Sequence, residues 1–482
     1  MISVVPKPQR VRLLSQKQYL YQPTEAKRFL EEGHGQEGYR LLIDNEGIKI
    51  YCGTEEGAFR AQITLKQLYT EKKLPNIEIW DFPKYQHRGY MLDCVRHFFT
   101  IETIKKQIQA MAMLKLNVFH WHLTDDQGWR IESKKYPLLT EIGAKREQTM
   151  GDGKPVSGFY TREQIKEIVR FAKQHYIEVI PEIDIPGHMT AAIAAYPLLS
   201  CDGKEVKVSE GPGIHKNVAC AGKDSVISML GEVLEEAAEL FPCKYFHLGG
   251  DEAPRDKWDA CPDCAKRMVE NSFKNGDELQ AYMMNALCER LEKIGKTVIN
   301  WNDGMKAENI KDSIVMHHWK ESKQCNAATA REAAKGRPVI YSPFFGYYLD
   351  YPYGMTSLKK TYTYNIGVKG VESENYLLGL EAPLWTEYVE TEEQLEKQTY
   401  PRLCAVAERA WSSVKSTNYN EFTLRLKRFY KILDALGVKY VTIENANPAF
   451  IEGKKAVLRF YLNALKVQIK ERKKKKKEGI KA

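Results

Sequence analysis

The chain has 482 residues, of which 43% are hydrophobic and 28% are charged, the composition of a globular protein with one large domain or up to three domains. No apolar run reaches the ~20 residues that span a bilayer, and the N-terminus lacks the pattern of a secretory signal, so we expect a cytoplasmic protein unless a signal has been removed. The formal net charge is +9, and residues 466–482 alone hold nine basic and two acidic residues. The rest of the chain is therefore nearly neutral, and no nucleic-acid partner is expected for that part.

Residues 1–86 are predicted to form a small α/β domain. Two apolar runs, Tyr39–Leu42 and Ile48–Tyr51, flank Asp44-Asn-Glu-Gly47, a pattern typical of a β-hairpin. A helix is predicted over Glu55–Tyr69, and a further strand over Asn76–Trp80. These elements are expected to pack against the region that follows.

Residues 87–415 contain eight short apolar runs, most of them rich in β-branched or aromatic residues. They are Arg88–Cys94, Asn117–Leu123, Ile177–Ile183, Tyr245–Gly249, Thr297–Trp301, Ser313–His318, Pro338–Ser342 and Leu380–Trp385. Segments with helical spacing, such as Ile104–Leu116 and Asp277–Ile294, lie between several of them, although the helix between the fifth and sixth runs looks rudimentary. Alternation of eight strands with helices predicts a closed (β/α)₈ TIM barrel.

An open, doubly wound parallel sheet is the alternative fold, because it also alternates strands and helices. That fold places a glycine-rich phosphate loop after its first strand. The sequence after the first predicted strand is instead Asp93-Cys-Val-Arg-His-Phe-Phe, which contains no glycine. The barrel is therefore the favoured prediction.

Residues 416–482 are predicted to be a helical extension that ends in a basic tail. A helix is expected over Glu421–Leu436, and a basic helical stretch follows Pro448. The uninterrupted run Lys473–Lys477 is expected to be solvated, and contact with a nucleic acid or a membrane surface is the alternative for this tail.

Polar and aromatic residues follow the end of nearly every predicted barrel strand. The set includes Arg96, His122, Asp125, His188, Asp251, Glu252, Trp301, Asp303, Trp319, Tyr348, Asp350, Trp385 and Glu387. Barrel enzymes build their active sites at the carboxyl ends of the strands, so these side chains are expected to lie around one opening. A barrel with a purely structural role would have little reason to collect charges there.

The pair Asp251-Glu252 is the strongest candidate for the chemistry. It follows Tyr-Phe-His-Leu-Gly-Gly, a strand that ends in two glycines, and glycine allows a sharp turn and a close approach to a ligand. Adjacent carboxylates repel, so one of them tends to keep the proton that a general acid needs. An acidic turn without function is the alternative. Both side chains can serve one ligand only if the regular strand has already ended.

Tryptophans at three strand ends indicate a sugar as the ligand. Indole rings stack on the apolar C–H faces of pyranoses, while sugar hydroxyls need carboxylate, arginine or histidine partners. Trp301, Trp319 and Trp385 all occupy such positions. The alternative for any one of them is ordinary packing in the core.

Several motifs, in order, resemble those of family 20 glycoside hydrolases, the β-N-acetylhexosaminidases. They are Leu92-Asp-Cys-Val-Arg-His97, Trp121-His-Leu-Thr-Asp-Asp-Gln127, Pro186-Gly-His188, His247-Leu-Gly-Gly-Asp-Glu252, Tyr348-Leu-Asp350, Trp385-Thr-Glu387 and Ala407-Glu-Arg-Ala-Trp411. The resemblance covers about residues 86–412. It implies retaining hydrolysis in which the substrate's own 2-acetamido group attacks the anomeric carbon through an oxazolinium intermediate.

The resemblance also implies a role for each matching residue. Glu252 would be the general acid and base, and Asp251 would hold and stabilise the acetamido group. Arg96, Asp350 and Glu387 would bind sugar hydroxyls, Tyr348 the acetamido carbonyl, and Trp301, Trp319 and Trp385 would enclose the sugar. Asp125, His188 and His122 would support the catalytic pair from behind, with a merely packed buried histidine as the alternative for His188.

The expected partner is an oligosaccharide or glycoconjugate that ends in β-linked GlcNAc or GalNAc, removed one residue at a time. No metal or organic cofactor is implied, and the oligomeric state stays open. The alternatives are release of a disaccharide, as by a lacto-N-biosidase, specificity for a sulfated sugar, or a catalytically silent sugar-binding barrel. Loss of Asp251 or Glu252 would favour the silent protein, and both residues are present.

The ten cysteines follow no disulfide framework, so reduced thiols are the default expectation. Cys261-Pro-Asp-Cys264 is the single C-x-x-C motif. A structural zinc site needs four ligands, and no second pair or nearby histidine cluster completes this set in the sequence. We therefore expect a loop element or a local disulfide here rather than a metal site.

Overall fold

The computed structural model of the protein describes residues 2–69, 72–149, 153–368, 370–371, 373–413 and 418–477. Three parts of the sequence predictions lie outside the described residues. They are the first residue of the N-terminal domain, the boundary at residues 415 and 416 between the barrel and the C-terminal extension, and residues 478–482 of the basic tail.

The N-terminal region forms a five-stranded sheet with strand order β1-β5-β3-β4-β2. Its strands are β1 (Arg10–Tyr19), β2 (Lys27–Leu30), β3 (Tyr39–Asp44), β4 (Gly47–Cys52) and β5 (Leu74–Asp81). The predicted hairpin is confirmed as β3–β4, which turns between Asp44 and Gly47. Helix α1 (Glu55–Leu68) begins at Thr54, whose hydroxyl accepts a hydrogen bond from Gly57 N, and its buried face packs on the sheet.

Eight parallel strands close into a barrel, as the sequence predicted. The strands are β6 (His87–Asp93), β7 (Val118–His122), β12 (Glu178–Glu182), β13 (Tyr245–His247), β14 (Thr297–Trp301), β15 (Val315–His318), β16 (Val339–Tyr341) and β17 (Leu377–Leu384). The register sets His122 beside both Asp93 and Glu182, and Trp301 beside His317. The carboxyl ends of the strands therefore finish at one rim, where the loops that follow them meet.

Helices and short strands connect the barrel strands. The helices are α2 (Ile101–Met113), α3 (Leu138–Glu141), α4 (Arg162–Gln174), α5 (Thr190–Ala195), α6 (Asp224–Ala238), α7 (Asp256–Asp259), α8 (Pro262–Glu270), α9 (Gly276–Lys293), α10 (Lys323–Ala334), α11 (Phe344–Tyr347), α12 (Leu358–Thr363), α13 (Glu392–Thr399) and α14 (Arg402–Trp411). The short strands are β8 (Thr124–Asp125), β9 (Gly128–Trp129), β10 (Lys145–Arg146) and β11 (Val156–Ser157). Between β14 and β15, residues 302–314 contain one 3₁₀ turn, Asn302–Gly304, which confirms the rudimentary connection.

The barrel interior contains buried histidines and glutamates rather than aliphatic residues alone. His120 Nδ1 lies 2.7 Å from Glu381 Oε1, and its Nε2 lies 3.1 Å from Glu182 Oε2. Burial opposes ionisation of Glu381, but His120 and His317 hold its pKa well below the usual range. His87 Nε2 lies 2.7 Å from the other oxygen of Glu381. The interior is thus a network of buried carboxylates and imidazoles that pair with one another.

The C-terminal extension consists of α15 (Tyr419–Ala435) and α16 (Phe450–Lys477), close to the predicted helices. Phe460 on α16 packs against Tyr351 and Tyr388, with ring centroids 5.5 Å and 5.2 Å apart, so this helix lies beside the loops at the barrel rim. Among the described residues, no helix combines the length and apolar character that crossing a membrane requires.

The expectation that nothing completes the Cys261–Cys264 pair is wrong. Cys201 and Cys220 lie with them, and the four sulfur atoms fall within 4.8 Å of one another. All ten cysteines carry free thiols, so the expected local disulfide is absent as well. Cys220 precedes Cys261 by 41 residues, and Cys201 precedes Cys264 by 63, so only the folding of two separate loops brings the set together.

Candidate active site

A sharp turn after β13 carries the two adjacent acids. Regular strand pairing ends at His247, and the backbone then adopts positive φ at Gly249 (+64°), Gly250 (+99°) and Glu252 (+45°). A Cβ on Gly249 would lie 1.7 Å from Asp184 Oδ1, so only glycine fits this position. The condition that the strand must end before Asp251 and Glu252 can share a ligand is therefore met.

Asp251 and Glu252 converge on His188. The Nε2 atom of His188 lies 3.6 Å from Asp251 Oδ2 and 4.0 Å from Glu252 Oε2. On the other side of the ring, Nδ1 lies 3.0 Å from Asp125 Oδ1 and 3.3 Å from Asp126 Oδ2. Burial opposes protonation of this imidazole, but Asp125 and its neighbours hold the pKa of His188 well above its usual value. Asp251 and Glu252 thus face a protonated His188 ring whose other nitrogen is held by Asp125 and Asp126.

Both carboxyl groups of the pair have pKa values raised above their usual range. Burial raises the pKa of Asp251 to about 7, with the charges of Asp303 and Glu252 adding to the effect and His188 opposing it. Burial also raises the pKa of Glu252, where Asp303 adds to the effect and His188 and Lys320 oppose it. Asp251 is 7% exposed, and its Oδ1 atom has no hydrogen-bond partner among the described residues. The side chain of Glu252 is 26% exposed and so reaches the opening.

Arg96 is held in the site by several acids. Its guanidinium contacts Asp93 Oδ2 at 3.1 Å and Asp125 Oδ2 at 2.6 Å, and it approaches Glu387 Oε1 at 3.8 Å. Its Nε donates to Gln127 at 2.9 Å, and the group lies 5.0 Å from the centre of the Trp385 ring. The position of the guanidinium is therefore fixed before any ligand binds.

Aromatic rings surround the opening. Tyr348 stacks near Trp319 with ring centroids 5.9 Å apart, and it lies 6.4 Å from Trp385. Trp319 and Trp385 are partly exposed. Trp301 is 1% exposed and packs beneath Trp385 at 6.1 Å, with its Nε1 donating to Glu182 at 2.7 Å. Trp319, Tyr348 and Trp385 therefore form the wall, and Trp301 forms the floor.

Two further predicted residues occupy different positions relative to the pair. Asp350 lies near Glu387; burial and the charge of Glu387 raise its pKa well above the usual value, and its Oδ1 has no partner among the described residues. His122 lies deeper, between Glu182 at 2.6 Å and Asp125 at 3.1 Å. Burial opposes its ionisation, but Glu182 and Asp125 raise the pKa of His122 to about 10. His122 therefore contacts the pair only through Asp125 and His188.

Sequence reasoning did not assign roles to Asp303 and Lys320. Asp303 accepts hydrogen bonds from Trp319 Nε1 at 2.9 Å and from the backbone N–H of Glu252 at 3.3 Å. Lys320 Nζ lies 3.3 Å from Asp303 Oδ2 and 3.9 Å from Glu252 Oε1. Asp303 stands at the end of the fifth barrel strand, a position that marks it as a site residue. Lys320 comes one residue after Trp319, with no signal of its own beyond that neighbourhood.

Two groupings of possible metal ligands include His188. They are Asp125–Asp126–His188 and Asp184–His188–Asp251, each with ligand atoms within 4.8 Å of one another. His188 belongs to both, and its ion pairs with Asp125 and Asp126 account for its position without a metal.

A cleft of about 1230 Å³ lies elsewhere, between the N-terminal sheet and the residues around Asn117 and Glu178 at the amino ends of the strands. The candidate site is thus the rim at the opposite ends of the strands.

Comparison with known proteins agrees with this fold. Residues 85–414 match the family described as glycosyl hydrolase family 20, catalytic domain, and residues 3–82 match glycosyl hydrolase family 20, domain 2. The chain therefore belongs to glycosyl hydrolase family 20. The match confirms the resemblance found in the motifs and agrees with the (β/α)₈ barrel.

Individual relatives are β-hexosaminidases by name. The chain is 42% identical over 430 residues to a β-hexosaminidase of Porphyromonas gingivalis, covering 84% of this chain but 54% of that protein. It superposes on the β-N-acetylhexosaminidase of Bacteroides fragilis with a TM-score of 0.82 at 31% identity, covering 93% and 99% of the two chains. It also superposes on the exo-β-N-acetylglucosaminidase of Vibrio harveyi in complex with N-acetylglucosamine, with a TM-score of 0.82, 28% identity and coverage of 91% and 78%.

Proposed function

We propose that this protein is a retaining exo-β-N-acetylhexosaminidase that hydrolyses terminal β-linked GlcNAc or GalNAc from oligosaccharides or glycoconjugates. The observation that carries the proposal is the convergence of Asp251 and Glu252 on one side of the turn after β13, both with raised pKa values. The names of the relatives support the substrate class. The chain spans about half the length of the P. gingivalis relative, so the activity is proposed from the residues present here.

In the first step, the carbonyl oxygen of the substrate's 2-acetamido group attacks the anomeric carbon. The glycosidic bond breaks, and Glu252 gives its proton to the departing oxygen. Burial raises the pKa of Glu252, which favours the protonated form that a general acid needs. The products of the step are an alcohol and an oxazolinium ion that is still bound in the site. Because the nucleophile is already part of the substrate, the protein needs only to orient it.

In the second step, water attacks the anomeric carbon from the face that the leaving group vacated. The Glu252 carboxylate takes a proton from this water, the bond to the acetamido oxygen breaks, and the sugar leaves with retained configuration. Glu252 recovers its proton and the cycle closes. Its partial exposure suits this role, because water must reach the same carboxyl group that served as the acid.

Asp251 stabilises the positive charge that spreads over the acetamido group. Its carboxylate accepts a hydrogen bond from the acetamido N–H and stands beside the developing oxazolinium cation. The unpaired Oδ1 of Asp251 is a suitable acceptor for that N–H. Protonated His188, 3.6 Å away, favours the ionised form that this role requires.

The remaining residues bind the sugar. Arg96 and Glu387 lie together at the rim and bind hydroxyls of the terminal residue. Asp350, with an unpaired and buried Oδ1, binds a further hydroxyl. The Tyr348 hydroxyl binds the acetamido carbonyl, and Trp319 and Trp385 cover the sugar from either side above Trp301. The ring contacts among Trp319, Tyr348, Trp385 and Trp301 support these aromatic roles.

A set of nitrophenyl glycosides tests the proposal. We expect rapid release of nitrophenol from β-GlcNAc or β-GalNAc and at least ~10³-fold lower kcat/KM for β-glucoside, because the glucoside lacks the internal nucleophile. Faster cleavage of a 6-sulfated GlcNAc or of a lacto-N-bioside would shift the substrate assignment within the same chemistry. Binding of GlcNAc without any hydrolysis would instead identify a silent sugar-binding barrel.

A further inference from the structure

Four cysteine thiols meet in one cluster away from the catalytic pair. The Sγ atom of Cys220 lies 3.7 Å from that of Cys264 and 3.9 Å from that of Cys261. The Sγ atom of Cys201 lies 4.0 Å from that of Cys264. All four sulfurs fall within 4.8 Å of one another. Cys220, Cys261 and Cys264 are almost fully buried, and Cys201 is half-buried.

These distances fit a tetrahedral metal site and not a pair of disulfides. A disulfide needs its two sulfurs about 2.05 Å apart. Four thiolates at the corners of a tetrahedron, each about 2.3 Å from a zinc ion, lie about 3.8 Å from one another. Three of the six sulfur separations are 3.7–4.0 Å, close to that figure, and all six lie within 4.8 Å. Four thiolates in this geometry prefer zinc, or iron in second place.

The backbone around the cluster holds the four residues in place through contacts of its own. The N–H of Cys220 donates to Leu199 O at 2.8 Å, and Trp258 Nε1 donates to Ala219 O at 2.9 Å. Cys261 caps the amino end of α8, and Cys264 stands in its first turn. A Cβ on Gly222 would lie 2.3 Å from Cys264 N, so glycine allows the two loops to approach this closely.

The surroundings suit a cluster with negative charge. Zinc with four thiolates has a formal charge of −2. Lys223 Nζ donates to the carbonyls of Ser200 and Cys201 at 3.0 Å and 3.1 Å, and it pairs with no carboxylate of the described residues. Its charge is therefore available to the cluster. Arg267 donates to Gly222 O at 3.0 Å and is paired with Asp224, so it holds the backbone beside Cys220 and adds no free charge.

We propose that Cys201, Cys220, Cys261 and Cys264 bind one zinc ion as thiolates, releasing their protons, and that this ion joins two loops of the barrel rim. Cys201 and Cys220 belong to the loop after β12, which carries His188. Cys261 and Cys264 follow the loop after β13, which carries Asp251 and Glu252. Since four protein ligands fill a tetrahedral ion, the site has no open position and its role is structural.

The cross-link is connected to the catalytic loops through the backbone. The N–H of Ala219, next to Cys220, donates to Pro186 O at 2.9 Å, two residues before His188. A Cβ on Gly187 would lie 2.8 Å from Asp251 O, so the two loops also touch at the catalytic end. The zinc ion therefore fixes the far ends of the two loops whose near ends form the His188–Asp251 contact.

Metal analysis of the full chain tests the proposal. We expect protein purified under reducing conditions, without chelator or metal-affinity resin, to contain about one zinc per chain by mass spectrometry of the elements. Replacement by Co²⁺ should give the intense thiolate-to-metal absorption of a tetrahedral thiolate site. Less than about 0.1 zinc per chain together with no cobalt spectrum would overturn the proposal. One iron per chain, or disulfides among these four cysteines in freshly reduced protein, would overturn it equally.

Variants locate the ion. Cys264→Ser should lose the zinc, while Cys288→Ser, at a buried free cysteine on α9, should keep one zinc per chain. Cys201→Ser, at the half-buried ligand, serves if Cys264→Ser does not fold, and it should likewise lose the zinc, because a closed structural site needs all four ligands. A strong chelator should lower the Tm of the native chain and leave that of folded Cys264→Ser or Cys201→Ser unchanged. Full zinc content in both ligand variants would contradict the assignment.

Discussion

The barrel interior and the barrel rim are built from the same residue types, yet they differ in how those residues are paired. In the interior, Glu381 lies against His87 and His120, and the histidines hold its pKa well below the usual value. At the rim, Asp251 and Glu252 share one histidine, and burial raises the pKa of both. The interior keeps Glu381 ionised with both oxygens paired, whereas the rim keeps Asp251 and Glu252 short of partners.

This difference separates a structural network from a reactive one. A buried carboxylate whose two oxygens are both paired with neighbouring side chains has nothing left to offer a ligand. A buried carboxyl group with raised pKa and an unpaired oxygen costs the fold stability, and it is ready to exchange protons and hydrogen bonds with a substrate. Stability and activity should therefore respond in opposite ways to substitutions in the two regions.

The largest expected effect is on catalysis at the rim. Glu252→Gln should lower kcat by roughly 10²–10⁴-fold on substrates with poor leaving groups, because no other group can protonate the departing oxygen. The loss should shrink for aryl leaving groups that need no proton. Steady-state kinetics on a disaccharide and on dinitrophenyl β-GlcNAc measure both values. Near-normal turnover of the disaccharide would refute the assignment of the acid.

In the interior, Glu381→Gln should destabilise the protein by about 3–5 kcal/mol, because it removes the negative charge beside the buried imidazolium of His120 and weakens the hydrogen bond to His87. The midpoint and slope of denaturant unfolding measure this loss. Glu421→Gln is the matched control, because Glu421 pairs with Lys7 at the surface and its side chain is 40% exposed. The expected loss of unfolding free energy in this variant is below about 1 kcal/mol. Equal losses in the two variants would remove the contrast between the regions.

Asp251→Asn should abolish most activity and yet make the fold more stable at alkaline pH. The raised pKa of Asp251 means that its contribution to stability is full below pH 4 and is lost as pH rises through about 7. The amide removes that loss, so the variant should exceed the parent by up to ~4 kcal/mol at pH 8 and match it near pH 4. Denaturant unfolding at the two pH values measures it. A variant less stable than the parent at pH 8 would show that ionisation of Asp251 does not destabilise the folded state.

The smallest effect is a shift in the pH profile. Glu252 must be protonated to act as an acid, so kcat/KM should fall as pH rises above its pKa. The positive charge of Lys320 lowers the pKa of Glu252. Lys320→Met should therefore raise that pKa and shift the alkaline limb of the profile to higher pH by about half a unit. Lys323→Met removes an exposed charge nearby and should leave the limb in place. A downward shift in Lys320→Met would contradict the proposed contact.

The sequence was sufficient for the fold and for most of the rim. Eight apolar runs gave eight strands, and because parallel strands end at one rim, Arg96, His188, Asp251 and Glu387 could be expected together. Trp301 was predicted to enclose a sugar together with Trp319 and Trp385, and its ring lies deeper than theirs, 1% exposed and 6.1 Å from that of Trp385. Spacing along the chain tells nothing about such depth.

Features formed between loops could not be predicted. The contact of Lys320 with Glu252 and the joining of Cys201 and Cys220 to the Cys261–Cys264 pair depend on how separate loops fold over the rim. A motif search finds ligands that are close in sequence, and these ligands are 41 and 63 residues apart. The short C-x-x-C motif alone therefore pointed away from a metal site.

The division of roles at the rim has its most direct test in the ratio of kcat/KM for nitrophenyl β-GlcNAc to that for nitrophenyl β-glucoside, measured in the parent, Asp251→Asn and Glu252→Gln. If Asp251 acts on the acetamido group and Glu252 on the leaving oxygen, Asp251→Asn should lower the ratio by at least ~10-fold while Glu252→Gln keeps it within a few-fold of the parent value. An unchanged ratio in Asp251→Asn, or a collapse in Glu252→Gln alone, would contradict the account.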